Sequence, residues 1–147
     1  MSSTSIKKII HCNKKNLVNM VLDIESYPDF VPWCLDSKIH EKKETDDFIE
    51  IKADLRVGKK FLNEVYTSLV LYSKKEDTIT VTNIKGPLKY LKNNWIFREI
   101  NSNTQLQFSI DFELKNSFLN IIMRNYFNMG LNKIADAFEE RARKLFK

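Results

Sequence analysis

The side chains that could do chemistry in this chain are few and scattered. Its two histidines and two cysteines are His11, Cys12, Cys34 and His40. A zinc site needs ligands paired at short, regular spacing, and this set has none. His11 and Cys12 fall at the end of a predicted strand, where adjacent side chains point to opposite faces. A Cys34–His nucleophile pair has no third group in view to orient its base. His40 is expected on an exposed edge. Carboxylates come in pairs, at Asp46/Asp47, Asp111/Glu113 and Glu139/Glu140. These fall in a turn, on the wet face of a strand and on the polar side of a helix, not where burial would tune them for acid–base work. There is no glycine-rich phosphate loop and no GxSxG motif. The expectation is a binding module rather than an enzyme, with no catalytic residue, no metal and no cofactor.

The hydrophobic pattern supplies the scaffold. Ser5–Cys12 reads as a strand, and Asn13 can cap a helix running to Leu22. Ser26-Tyr-Pro-Asp-Phe-Val-Pro-Trp-Cys34 breaks that helix through Pro28 and Pro32. From Leu35 the period is two. Ile49, Ile51, Ala53, Leu55 and Val57 alternate with polar residues, as do Leu106, Phe108, Ile110, Phe112 and Leu114. Phe61–Tyr72, Thr78–Asn83 and Tyr90–Ile100 lie between them. That is an antiparallel meander of six strands, seven with the first. From Phe118 to Phe146 apolar residues recur every three or four positions. This predicts one amphipathic helix, with Ser117 as N-cap and a length of roughly 40 Å. Its first half is apolar beyond the main stripe, through Phe118, Ile121, Ile122, Tyr126 and Met129. The period alone leaves open a filled core or a lined cavity; a cavity would have this wide arc facing an internal void rather than solvent.

The 147 residues are 43% hydrophobic and 29% charged, with 3 Gly and 3 Pro, which suits one domain over 1–147 with residues 1–4 as a flexible tail. No window approaches the roughly 20 apolar residues of a membrane span, and no secretory signal or organelle presequence is expected. A reduced cytoplasmic setting follows. Three acid-free windows (1–22, 78–98 and 114–135) hold eleven basic residues against a net charge of +5, so the remainder carries −6. Such asymmetry suggests a basic face toward a polyanion, either lipid headgroups or nucleic acid. Candidates for that face are Lys85, Lys89, Lys92, Lys115 and Arg124.

Three stretches stand in the order and spacing of a known family: Tyr27-Pro-Asp-Phe-Val-Pro-Trp-Cys34, Gly86-Pro-Leu-Lys-Tyr-Leu-Lys-Asn-Asn-Trp95 and Phe112-Glu-Leu-Lys-Asn116. The chain resembles the coenzyme Q-binding START-domain family of the polyketide cyclase/lipid-transport superfamily, whose bacterial branch includes ribosome association toxins. The resemblance runs from about Ile6 to Phe146. It implies an α+β helix-grip (START/Bet v1-like) fold, a seven-stranded antiparallel sheet wrapped around the long C-terminal helix with a tunnel between them. It implies ubiquinone or a related isoprenoid lipid as bound ligand, carried in support of respiration. Candidate lining residues are Tyr27, Pro28, Phe30, Trp33, Leu55, Leu69, Leu91, Trp95, Phe108, Ile110, Met123, Phe127 and Leu131.

Three functions compete. A lipid carrier needs an apolar tunnel, and each buried CH₂ of a ligand would contribute about 0.8 kcal/mol. A ribosome-directed toxin would bind the large subunit and block subunit joining; the charge asymmetry favours it, but aromatic residues fall at core periods rather than among lysines as in a stacking platform. A cyclase-type enzyme is disfavoured by the lack of inward acids and bases. The expected protein is a monomer in the cytoplasm, with peripheral contact at the inner face of the cytoplasmic membrane as an option.

Overall fold

The period-two stretches pair with one another in chain order. In this computed structural model residues 2–59 and 62–146 are described, without the side chains of residues 2, 59, 62 and 122–128. The strands are β1 (Ser2–Ile10), β2 (Cys34–Glu44), β3 (Phe48–Lys59), β4 (Leu62–Ser73), β5 (Thr78–Lys85), β6 (Leu88–Ile100) and β7 (Asn103–Leu114). Between β1 and β2 lie α1 (Lys14–Leu22) and a 3-10 helix (Ile24–Asp29); α2 (Ser117–Leu145) closes the chain. The sheet runs β1-β7-β6-β5-β4-β3-β2, every neighbour antiparallel. Five consecutive hairpins need only short turns. In the two-residue turn Asn101–Ser102 both residues are at positive φ (49° and 70°), a backbone twist that matches the flanking strands.

Three boundaries differ from expectation. The tail expected over residues 1–4 is corrected for 2–4, which belong to β1: Ser2 pairs with Phe112, and the Ser3 hydroxyl donates to Asp111. The strand ends at Ile10, so His11 and Cys12 lie in a bend beyond it, with the Cys12 N–H donating to the Ile10 carbonyl at 2.9 Å. At α2 the cap is Asn116 rather than Ser117, because its amide oxygen accepts from the N–H groups of Phe118 (2.9 Å) and Leu119 (3.1 Å). Asn120 then clamps the helix start to β7, accepting from Leu114 N and donating to Leu114 O, both at 2.8 Å.

The 29-residue α2 is unbroken and lies along β1 and β7. Lys8 reaches from β1 to Asp136 (3.1 Å) and Glu139 (3.2 Å) on α2, and the bond to Asp136 holds its ammonium above the usual lysine range. The core sits between the concave sheet face and the helices, with Ile10, Leu17, Ile51, Ile79 and Phe138 fully buried.

A candidate binding groove between sheet and helix

Register decides which residues face inward. Ile51 of β3 stands opposite Val70, Ala53 opposite Ser68 and Leu55 opposite Tyr66. Across the sheet Val81 pairs with Asn93, Ile79 with Trp95 and Trp95 with Phe108. These residues form the concave face. At one end it is sealed by aromatic rings meeting edge to face. Phe138 of α2 lies 5.4 Å from Tyr27, 5.1 Å from Phe30 and 5.1 Å from Trp95, and Trp95 lies 4.6 Å from Phe108. Tyr27 is further held by its hydroxyl, which donates to the Val21 carbonyl, and burial pushes its pKa upward. The Trp95 indole N–H donates to Asn93 Oδ1 at 2.7 Å, and Asn93 donates onward to the Ser109 carbonyl at 2.8 Å.

Toward the other end, where β5 turns into β6 and α2 begins, the same concave face loosens. Leu55, Tyr66, Val81, Asn83, Ile110 and Leu114 are only half-buried although they point inward. The opening is framed by Trp33, which sits at φ 65°, a conformation non-glycine residues seldom adopt. Its carbonyl accepts from Gly58 N at 3.0 Å, fixing the loop to β3. The backbone Lys115 N–H donates to the Pro87 carbonyl at 2.9 Å, so the Gly86-Pro87 turn is tied to the helix start.

The candidate lining residues therefore divide. Tyr27, Phe30, Trp95 and Phe108 pack as the closed end, with Pro28 inside the 3-10 helix behind them. Leu55, Leu91 and Ile110 are on the concave face, and Leu131 is buried on α2. Leu69 is a correction: it stands opposite Lys52 and Thr82, on the convex face. Met123 and Phe127, with Arg124 of the basic set, lie outside the described side chains. A second correction concerns the helix arc. Phe118, Ile121 and Met129 are 67%, 59% and 56% exposed, so at these positions it faces outward rather than into a void. Lys89 meets Glu113 at 3.7 Å, and Lys92 stands opposite Asp111. Acids from a neighbouring strand thus enter the basic face.

Two clefts lie elsewhere. One, about 180 Å³, is lined by Asn19, Met20, Asp23, Phe30, Arg141 and Phe146 beyond the closed end. The other, about 410 Å³, lies on the convex face, and contains His40, Asp54, Thr67 and Lys85. A bulge between Ile39 and Glu41 aims His40 at Asp54 (2.7 Å), while the Thr67 hydroxyl donates to the other carboxylate oxygen at 2.5 Å. The Thr67 bond first, then His40, holds Asp54 below the usual carboxylate range. In a nucleophilic triad the imidazole stands between hydroxyl and carboxylate; here the carboxylate stands between, so the hydroxyl has no base. Cys34 is equally unsuited, because burial pushes its thiol up and its Sγ contacts the Asp36 carbonyl at 3.7 Å.

An antiparallel sheet gripping one long helix, with an inward face sealed at one end and loosened at the other, defines the START-like helix-grip class. The chain belongs to the polyketide cyclase/dehydrase and lipid transport family, whose model matches residues 18–139. It is 33% identical, over the full length of both chains, to a ribosome association toxin of Rickettsia prowazekii. It is 28% identical to a mitochondrial coenzyme Q-binding protein of Dictyostelium discoideum, over 87% of this chain and 62% of that one. The solution structure of an 18 kDa protein of Caulobacter crescentus superposes with a TM-score of 0.81 at 28% identity, covering 99% of this chain and 98% of that one.

Sequence reasoning missed Gly130, Tyr66, Ser68 and Asn93. Gly130 carried a signal, as the one glycine of the long helix. The other three did not, because β4 and β6 alternate too weakly to reveal which polar residues turn inward.

Proposed function

We propose that this protein binds an isoprenoid quinone or a related apolar lipid in the groove between the sheet and α2, and carries it without performing chemistry on it. The observation that supports this most is the gradient along the concave face, sealed by Phe138, Trp95 and Phe108 at one end and half-buried around Leu55, Val81 and Ile110 at the other. A tail entering from the loosened end would bury its CH₂ groups at about 0.8 kcal/mol each. The coenzyme Q-binding relative supports the choice of ligand. Exposed Phe118 and Ile121 near the start of α2, with Lys115 before it and Lys85 and Lys89 flanking the Gly86-Pro87 turn, suit collection of lipid from an anionic bilayer at the cytoplasmic face. Among the described residues no helix is long and apolar enough to cross a membrane.

A second reading, binding to the large ribosomal subunit, is favoured by full-length similarity to a ribosome association toxin. Organic extraction and mass spectrometry of protein from its native host separate the two. A stoichiometric quinone supports the carrier. Lipid-free protein that co-sediments with large subunits supports the toxin and overturns the carrier.

A further inference from the structure

The inner face of β4 carries two hydroxyls that have no hydrogen-bond partner among the described residues. Tyr66 and Ser68 are two residues apart and so project on the same side, about 7 Å apart along the strand. Their partners on β3, Leu55 and Ala53, are apolar; on β5 Ser68 stands opposite Asn83, whose amide is turned to the backbone of Leu88 and Leu91. Ser68 is only 6% exposed, and Tyr66 is half-buried, its phenol pushed up to about 12 by burial.

Among the described residues the other inward polar side chains are engaged. Asn93 accepts from Trp95 and donates to the Ser109 carbonyl, and Asn83 donates to the Leu88 carbonyl (3.3 Å) and accepts from Leu91 N (3.1 Å). Thr104 donates to the Cys12 carbonyl at 2.9 Å. Among the described residues every fully sealed side-chain nitrogen or oxygen has a partner. Hydroxyls that have none are therefore within reach of water. The two hydroxyls are open to solvent and free to hydrogen-bond an occupant of the groove, which would replace that hydration.

We infer that Tyr66 and Ser68 recognise the oxygens of the ligand's ring headgroup, holding it against β4. This rests on the carrier reading and says where the polar end of the lipid sits. A hydroxyl both donates and accepts. The pair can donate to the carbonyls of an oxidised ring and accept from the hydroxyls of its reduced form, so both redox states fit the same place. The aliphatic neighbours Leu55, Val81 and Leu91 contribute area but no polar contact.

The test removes single oxygens. Y66F, S68A and the double variant are compared with the unaltered protein by equilibrium dialysis against a short-tailed ubiquinone and against farnesene, an isoprenoid hydrocarbon with no oxygen. Each single variant should weaken ubiquinone about 5–10-fold and the double variant more, since one hydrogen bond contributes about 1 kcal/mol. Farnesene binding should not change, and thermal midpoints should stay level, because neither hydroxyl bonds to the protein. A double variant that binds ubiquinone as tightly as the unaltered protein would overturn the inference, as would equal losses for both ligands. If the unaltered protein binds neither ligand, the carrier reading itself fails and the headgroup site falls with it, a result distinct from a headgroup-only failure.

Discussion

Gly130 of α2 lies against the ring of Trp33: a Cβ built there would stand 3.4 Å from Cη2 and 3.5 Å from Cζ3. That is ordinary contact for a methyl group and leaves no room for more. Glycine in a helix interior costs about 1 kcal/mol relative to alanine. Gly130→Ala should therefore raise the unfolding free energy measured in urea modestly, by up to about 1 kcal/mol. Gly130→Leu should push the Trp33 ring out of place, visible as a shift in tryptophan emission. Destabilisation by alanine would show that the contact is already tighter than the geometry indicates.

Phe138, 2% exposed, touches Tyr27, Phe30 and Trp95 at once. Phe138→Ala should cost about 3–5 kcal/mol in chemical denaturation, the range for emptying a buried aromatic site. A loss under about 1 kcal/mol would mean that the closed end collapses around the gap.

The Asp54 carboxylate is held below its ordinary range by Thr67 and then His40, so the folded chain favours its ionised form. That contribution is fully present above the unfolded pKa, near about 3.9, and is lost as pH falls through the lower folded value. Unfolding free energies of the unaltered protein and Asp54→Asn should thus differ most near neutrality and converge toward pH ~3. A constant difference in urea titrations across that interval would contradict the assignment.

Changing Lys85, Lys89 and Lys92 together to Glu should weaken binding to anionic vesicles, with each lysine near the surface contributing about 1 kcal/mol. The effect should vanish in 1 M salt, where the Debye length is about 3 Å. Phe118→Ser with Ile121→Ser should also weaken binding, but without that salt dependence, because burial of apolar area is not screened. Vesicle sedimentation of the two variants, low salt against high, distinguishes the contributions; unchanged binding in both would remove the loosened end as a docking face.

Local periodicity was enough to recognise the elements and their order. Ile49 to Val57 and Leu106 to Leu114 alternate cleanly, and α2 repeats every three or four residues without a break, so a meander followed by one long helix follows from the chain alone. Periodicity cannot choose a face where both faces are apolar. Val65 to Tyr72 is such a run, and only pairing with β3 turns Leu69 outward and Tyr66 and Ser68 inward. The same limit applies to the helix: Phe118, Ile121 and Met129 extend its apolar arc, but its seat along β1 and β7 leaves them in solvent. Charge behaves likewise. A window without acids reads as strongly basic, yet strand pairing brings Glu113 to Lys89 and Asp111 opposite Lys92. Secondary structure is written in neighbours along the chain, whereas the groove, its two hydroxyls and the net charge of its rim depend on residues tens of positions apart, which only the register of the sheet brings together.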